Sequence, residues 1–223
     1  GVFIAAAAPL FKENDRRLIE WYKREISKYP QITVKFETEI KCEHCLAKQG
    51  KFDQVIIATG SKARILNIPG KEKAIEACDY LLRKKEVGDN PIIIGGGLTG
   101  CEIAYELSLN GKHPTIIEMK NDLIAVRGVC LANSSYLRDY FELHKTPVHL
   151  ETSVKEITDK GVIAIGKDGK EFEVLGSDVI SSVGYIPTPQ FQKKSHYHLV
   201  GDCNEIGNLR TVIWRAWDVA MKL

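Results

Sequence analysis

The glycine-rich segment at residues 95–100 has the residue types and spacing that binding of a dinucleotide requires. Its letters, GGGLTG, fit G-x-G-x-x-G, and they follow the apolar run 92–94 and precede a predicted helix. In such a turn Gly95 permits the tight bend, Gly97 lets the backbone approach a pyrophosphate, and Gly100 lets helix and strand pack closely. Unpaired N–H groups and the helix dipole would then hold the phosphate charge. The segment predicts an NAD-type site.

Glu118 lies at the end of the next predicted strand. In dinucleotide-binding sites an acid at this position accepts hydrogen bonds from the ribose hydroxyls. A carboxylate there repels the additional 2′-phosphate of NADP, whereas Lys120 and Arg127 are close enough in sequence to attract it. We therefore expect NAD(H) as the cofactor, with NADP as the less favoured alternative.

Two further acids, Glu102 and Asp202, each have two interpretations. Glu102 lies on the first turn of the helix after the glycines. It either points back to the site or simply interacts with the helix dipole. Gly201-Asp202 precedes a polar turn and the last predicted helix, so Asp202 either binds sugar hydroxyls or caps that helix. On sequence alone, capping is the simpler role for Asp202.

Cys42 and Cys45 form a single C-x-x-C with His44 between them. A structural zinc site needs four ligands, usually from two such pairs, and the sequence has no second pair. A redox disulfide is expected beside a cofactor, whereas this pair lies in polar sequence before a predicted strand. The sequence therefore favours no metal site and no redox chemistry at these cysteines.

Composition excludes several classes of function. The chain has 223 residues, and 31 basic against 29 acidic side chains leave a net charge of only +2. That balance argues against nucleic-acid binding and against a polybasic membrane surface. The longest apolar run, residues 2–8, is too short for a membrane span. Six scattered cysteines in a well-patterned chain of this size indicate a reduced, cytoplasmic protein.

The elements that position these residues form an α/β pattern. A strand, the glycine turn, a helix and a second strand follow one another within 92–118, as in a βαβ unit. Residues 178–184 repeat the form of 53–60, an acid followed by an apolar strand and a glycine, which suggests two related dinucleotide folds. Periodicity predicts helices over 14–29, 73–84, 101–110, 136–144 and 208–223, strands over 32–36, 52–58, 92–94, 115–118, 148–150 and 178–184, and a hairpin over 162–174.

The order of motifs resembles that of the two-dinucleotide flavoprotein reductases. It is most similar to the C-terminal, FAD- and NAD(P)-binding half of the 2-enoate reductase and 2,4-dienoyl-CoA reductase group of NADH:flavin oxidoreductases. The resemblance covers nearly the whole chain. The motifs are GVF at 1–3, AP at 8–9 with Lys12, IIATGS at 56–61, IPG at 68–70, IGGGLTGCE at 94–102, VGYIP at 183–187 and VGDC at 200–203.

The resemblance implies an α/β fold like that of the pyridine nucleotide-disulfide reductases. A Rossmann-like NAD(P)-binding domain, residues 71–185, would be inserted in a truncated FAD-binding domain made of 1–70 and 186–223. In the family, hydride passes from NADH to FAD, and electrons continue through a 4Fe-4S cluster to FMN in an N-terminal barrel that binds an enoate or enoyl-CoA. The partners implied are the two dinucleotides and that barrel.

Matching motifs assign the site residues. Glu102 would face the nicotinamide as the catalytic residue, and Gly184 would line the same cleft. The residues expected to hold NAD are Gly95, Gly97, Gly100 and Glu118, and those expected on the FAD side are Thr59, Gly60, Gly201 and Asp202.

The chain departs from the family pattern in three ways. The barrel with its cluster cysteines is absent, the first strand and glycine turn of the FAD domain are absent, and the segment from Pro189 to His196 is short. We therefore expect a fragment that is inactive on the organic substrate and whose open sheet edge favours a homo-oligomer. Two alternatives stay open: a pyridine nucleotide-disulfide reductase, and an NAD-binding module without catalysis.

Overall fold

A computed structural model describes residues 1–125 and 128–223, in two compact units. The first unit comprises Gly1, Arg17–Arg64 and Tyr185–Leu223, and the second comprises Val2–Arg16 and Ile65–Gly184. Residues 2–16 were expected with the FAD half, yet they belong to the second unit, where Ala5 lies in the core. The assignment of the units to FAD and NAD(P) stays a prediction. Among the described residues, no helix has both the length and the apolar character that a membrane crossing needs.

The described residues contain seven α-helices, twelve strands and two short 3-10 helices. The helices are α1 (Val2–Ala6), α2 (Glu13–Ser27), α3 (Glu43–Ala47), α4 (Ala77–Leu81), α5 (Leu98–Leu109), α6 (Leu131–Leu143) and α7 (Leu209–Ala220), with 3-10 turns at Lys71–Lys73 and Gly201–Cys203. The strands are β1 (Val55–Ile57), β2 (Ser61–Ala63), β3 (Ile75–Glu76), β4 (Ile92–Ile94), β5 (Thr115–Ile117), β6 (Val148–His149), β7 (Ser153–Ile157), β8 (Gly161–Ile165), β9 (Glu171–Leu175), β10 (Val179–Ser181), β11 (Tyr185–Pro187) and β12 (Tyr197–Leu199).

The second unit is built on a five-stranded parallel sheet with the order β3-β10-β4-β5-β6. The side chains of successive residues in β4 point to opposite faces of the sheet, as in any pleated strand. Ile93 packs among the helices with Ile103 of α5, whereas Ile92 packs against the antiparallel sheet β7-β8-β9 through Val162. All three residues of β4 are buried, which explains why its sequence is a continuous apolar run.

A buried carboxylate fixes α5 against α4. Glu106 is only 1% exposed and lies among the core residues of the second unit. Its two oxygens accept hydrogen bonds from the Arg83 guanidinium at 2.5 and 3.2 Å, and the Tyr80 hydroxyl lies 3.4 Å away. Burial, followed by the Glu106 charge, raises the pKa of Tyr80 to about 12. The pair with Arg83 compensates the cost of burying the Glu106 charge.

The first unit contains two small two-stranded sheets. β1 pairs in parallel with β12, and β2 pairs antiparallel with β11. Its core is a cluster of Ile57, Tyr197 and Cys203, against which Leu46 packs. All residues of α2 and α7 stay at least partly exposed.

Two predicted elements are wrong. Residues 32–36 are described and form no strand, because their alternation has no neighbouring strand with which to pair. The helix predicted over 73–84 is only α4, and Ile75 instead pairs with Ile180 at the edge of the parallel sheet. A tertiary pairing outweighs local helical propensity there. The helix predicted from Cys101 begins earlier, at Leu98, directly after the glycine turn.

Candidate active site

The turn between β4 and α5 needs glycine at two positions for its own packing. Gly95 has φ +107°, and a Cβ added there would lie 2.3 Å from the carbonyl oxygen of Ser182. A Cβ on Gly100 would lie 1.9 Å from the carbonyl oxygen of Gly95. Both clashes involve backbone atoms, so the roles expected for a tight bend and for close helix packing have a geometric basis.

Gly97 differs from these two glycines. It is the N-cap of α5 with ordinary angles, φ −69° and ψ 179°, and within the described residues no neighbouring heavy atom lies within 4 Å of a Cβ added there. The first N–H groups of α5, a twelve-residue helix, lie beside this open space. A helix N-terminus with room in front of it suits a phosphate group, so this position fits a dinucleotide.

The Glu118 carboxylate lies over the same turn. Its Oε2 accepts a hydrogen bond from Gly96 N at 2.6 Å, and its Oε1 accepts one from Lys120 N at 2.8 Å. Lys120 Nζ donates to the carbonyl of Ala125 at 3.1 Å, so its ammonium is engaged locally. Arg127, the other residue considered for a 2′-phosphate, lies outside the described residues. Glu118 is therefore fixed beside the glycine turn, where a ribose acid is expected.

Glu102 forms an ion pair on the first turn of α5. Lys12 Nζ lies 2.6 Å from Glu102 Oε1, and their side chains are only 21% and 14% exposed. Burial raises the pKa of Glu102, and the charge of Lys12 and its hydrogen bond oppose that rise. Glu102 is thus more than a first-turn acid near a dipole, because it is held by a specific cation.

The loop that carries Lys12 is itself held by Arg16. The Arg16 guanidinium donates to the carbonyl oxygens of Ala7 at 2.8 Å and Leu10 at 2.9 Å. In the sequence, Lys12 belongs to the motif with AP at 8–9, which indicates no partner for it. Its pairing with Glu102 joins distant parts of the chain, and local spacing carries no signal for it.

The segment after β10 reaches the same sheet edge as the glycine turn. Ser182 N donates to the carbonyl of Ile94 at 2.8 Å, next to the close approach at Gly95. Gly184 follows two residues later with φ +89° and, as far as the structure describes its surroundings, has open space around it. The second unit thus brings the predicted NAD residues, Glu102 and Gly184 to the carboxyl end of its parallel sheet, where α/β proteins bind ligands.

The four residues predicted on the FAD side come together within the first unit. β1 and β12 run in parallel, so Thr59-Gly60 and Gly201-Asp202 follow strands that end at one edge. Ser61 Oγ donates to Asp202 Oδ2 at 3.4 Å. Thr59 Oγ1 donates to the carbonyl of Thr188 at 2.8 Å. This juxtaposition is what a shared binding role requires.

Asp202 is not the cap of the last helix. Asn208 is the N-cap of α7, and its side chain accepts from Thr211 N at 3.0 Å in a capping box. Asp202 Oδ1 instead accepts from Gly207 N at 3.1 Å. The capping interpretation of Asp202 is therefore wrong, which leaves its role as a polar group at the strand edge.

Comparisons with known proteins agree with this geometry. The sequence profile of the family described as pyridine nucleotide-disulphide oxidoreductase matches residues 4–204. Cinnamate reductase of Clostridium sporogenes is 34% identical over 229 residues, covering 100% of this chain and 34% of that protein. NADH oxidase of Thermoanaerobacter brockii is 28% identical over 232 residues, covering 99% of this chain and 35% of that protein.

Solved structures support the same fold. A 2-naphthoyl-CoA reductase complex superposes with a TM-score of 0.85 at 22% identity, covering 99% of this chain and 34% of that chain. The predicted α/β fold and the resemblance to the dinucleotide-binding part of enoate reductases are confirmed. The chain spans about a third of the length of these relatives, 34% and 35% of the two curated ones.

Proposed function

The chain belongs to the pyridine nucleotide-disulphide oxidoreductase family, and from that premise we propose that it is the NADH-oxidising, FAD-reducing portion of a larger oxidoreductase. Its relatives are oxidoreductases, and the family implies binding of FAD and NAD(P). The larger enzyme would use flavin and an iron–sulfur cluster and act on an enoate or enoyl-CoA. The 34% identity to a cinnamate reductase over the full length of this chain supports this substrate class, since cinnamate is an enoate.

The glycine turn of the second unit is the observation that carries the proposal. Gly97 leaves open space at the start of α5, and Glu118 is fixed beside it through Gly96 N. A pyrophosphate in that space would receive N–H groups and the positive end of the helix dipole. The ribose hydroxyls would donate to the Glu118 carboxylate, which also disfavours the 2′-phosphate of NADP. We therefore assign NAD(H) to this unit.

Glu102 and Lys12 would orient the nicotinamide. The buried pair places one anionic and one cationic group on the helix that begins at the phosphate turn. The nicotinamide carboxamide can donate to the former and accept from the latter. When bound, the dinucleotides themselves supply the hydride chemistry, so the protein needs only to hold and orient them.

We place FAD on the first unit, at Thr59-Gly60 and Gly201-Asp202. Backbone N–H groups and the Asp202 carboxylate would meet the ribityl and pyrophosphate groups there. The FMN, the 4Fe-4S cluster and the organic substrate would be held by an N-terminal barrel in the remaining length that the relatives have. The cysteine pattern supports a cytoplasmic setting for the whole.

Anaerobic mixing of the flavin-loaded protein, expressed from its full reading frame, with NADH tests this proposal. We expect the flavin absorbance to bleach. The control variant Glu173→Ala, which removes an exposed carboxylate, should bleach to the same extent. An unchanged spectrum would favour a binding module without catalysis. Appearance of two new thiols on reduction would favour a disulfide reductase. A reading frame without an upstream barrel and clustered cysteines would contradict the larger architecture.

A further inference from the structure

The C-x-x-C segment of the first unit has a geometry that the proposed function does not use. Cys42 is exposed and precedes α3, and Cys45 is partly buried within that helix. Cys42 Sγ accepts a hydrogen bond from Cys45 N at 3.2 Å. This contact places the Cys42 thiol against the helical turn that carries Cys45. The two cysteines are therefore already neighbours, and not merely close in sequence.

The rest of the first unit holds this segment in place. Leu46, one residue after Cys45, packs against the core cluster of Ile57, Tyr197 and Cys203. The Glu43 carboxylate pairs with Lys194 Nζ. On the other side of Cys42, the Lys41 carbonyl accepts from Gln190 Nε2 at 2.9 Å. The cysteines thus lie on an anchored turn.

A disulfide between Cys42 and Cys45 needs their Cα and Cβ atoms to meet defined separations. Residues three apart on a helical turn have Cβ atoms about 5–6 Å apart. A disulfide needs a Cβ separation of about 3.5–4.5 Å and a Cα separation of about 4.4–6.8 Å. Closing that difference requires movement at Cys42, which is exposed, precedes α3 and has extended angles of φ −153° and ψ 163°.

The two thiols are chemically unequal. The hydrogen bond from the Cys45 thiol, together with the N–H groups of Cys45 and His44, lowers the pKa of Cys42. The same thiol–thiol hydrogen bond raises the pKa of Cys45. Because the thiolate is the nucleophile in disulfide exchange, the exposed Cys42 is the attacking group and Cys45 is the resolving one.

The two buried cysteines are arranged differently. Cys101 is buried, its Sγ donates to the Gly96 carbonyl at 3.4 Å, and burial raises its pKa to about 12. Cys203 is also buried and donates to the Ile57 carbonyl at 3.0 Å. In the described part of the chain, no three side chains of the metal-ligating types converge. Cys42 and Cys45 are therefore the pair whose arrangement suits thiol chemistry.

We propose that Cys42 and Cys45 form a reactive dithiol that exchanges with low-molecular-weight disulfides. The Cys42 thiolate attacks one sulfur of R–S–S–R, which forms a Cys42–S–S–R mixed disulfide and releases R–S⁻. Cys45 then loses its proton and attacks Cys42 Sγ, which releases the second R–S⁻ and forms the Cys42–Cys45 disulfide. The two cysteines lose two electrons, and the small disulfide gains them.

Oxidised glutathione tests the proposal in the absence of any nucleotide or flavin, so the result does not depend on the proposed function. Intact mass and peptide mapping should show an internal Cys42–Cys45 disulfide in the unmutated protein. Cys45→Ser should accumulate a stable glutathione adduct at Cys42. Cys42→Ser leaves only the Cys45 thiol of the pair. Its reaction with oxidised glutathione should be about ten-fold or more slower than that of the unmutated pair, since the variant lacks the Cys42 thiolate. Cys130→Ser, which removes an exposed thiol outside the pair, should leave internal disulfide formation unchanged.

The pH dependence of alkylation gives a second readout without any mutation. Iodoacetamide labelling of Cys42, followed by peptide mapping, should show an apparent pKa below 9.0, the ordinary value for a thiol. Serine at position 42 keeps an oxygen that can accept the Cys45 N–H, so the variant is expected to fold. The proposal would be overturned by an apparent pKa of Cys42 at or above 9.0, or by glutathione adducts of the unmutated protein without an internal disulfide. Equal rates of reaction with oxidised glutathione for Cys42→Ser and the unmutated protein would also overturn it.

Discussion

Alanine at Gly97 and alanine at Gly100 are expected to act on different properties of the protein. Gly97 has backbone angles that alanine adopts freely and, in the described structure, open space where the methyl group would lie. The weaker capping by alanine costs a few tenths to about 1 kcal/mol, and the reduced freedom of the unfolded chain returns about 0.4–1 kcal/mol. The free energy of unfolding should therefore change by less than about 1 kcal/mol.

At Gly100 we expect alanine to lower the free energy of unfolding, because the steric cost of its Cβ exceeds the gain in helix propensity. Alanine in a helix is worth about 1 kcal/mol more than glycine. Here, however, its Cβ would lie 1.9 Å from the Gly95 carbonyl oxygen and 3.2 Å from the Ile93 side chain. Forcing α5 away from a backbone atom costs about 1–3 kcal/mol or more, as overpacking does elsewhere. Gly100→Ala should therefore destabilise the second unit.

Binding separates the two variants further. A methyl group on Gly97 lies where a pyrophosphate must approach the first N–H groups of α5. The loss of one charge-assisted hydrogen bond, about 1.5–3 kcal/mol, weakens binding by about ten- to one-hundred-fold. Calorimetric titration with NADH and unfolding in urea measure the two properties, with Glu173→Ala as the control. If Gly97→Ala bound NADH as tightly as the unmutated protein, the assignment of this turn to a pyrophosphate would be wrong.

Four further outcomes follow from the same structure. NADH should bind at least about ten-fold more tightly than NADPH, from a repulsion of roughly 1–3 kcal/mol, and Glu118→Ala should narrow that gap in a competition titration. Arg83→Gln should lower the urea-measured free energy of unfolding by about 1–3 kcal/mol, and more than Glu106→Gln, because it leaves a buried carboxylate without its cation. Burial raises the folded-state pKa of Glu102, so its ionised form destabilises the fold at pH values above that pKa. Glu102→Gln removes this ionised form and should therefore be more stable than the unmutated protein in that pH range. Its advantage in the free energy of unfolding, measured at each pH, should shrink as pH falls through the raised pKa towards 4.5. The chain itself should hold FAD weakly, and purified protein with a flavin absorbance near one equivalent per chain would contradict this.

The sequence was sufficient for the elements whose signals are local. The run 92–94, the glycine turn and the next strand formed the predicted βαβ unit, because each element follows from contiguous residues. The juxtaposition of Thr59-Gly60 with Gly201-Asp202 also agreed with the motif order, since both pairs follow strands that turned out to be parallel neighbours. These features depend on short-range pattern and on common rules of sheet topology.

Features set by distant contacts could not be predicted. Ile75 was assigned to a helix because its pairing with Ile180 is visible only in the sheet. The alternation at 32–36 suggested a strand, but alternation cannot supply the neighbouring strand that pairing needs. The ion pair of Lys12 with Glu102 likewise depends on how the fold brings distant parts of the chain together.

The glycines of the turn between β4 and α5 show how the needs of the fold and those of the proposed function can be separated within one motif. The clashes at Gly95 and Gly100 mean that the protein's own packing is enough to require glycine there, whether or not a ligand binds. Gly97 has ordinary backbone angles and open surroundings in the described structure, so the fold accepts other residues at that position. A glycine that the fold does not need is what close approach of a ligand to the backbone would require. Such an approach would be at the N-terminus of α5 beside the fixed Glu118 carboxylate, which is why Gly97, more than the motif as a whole, supports the proposed dinucleotide site.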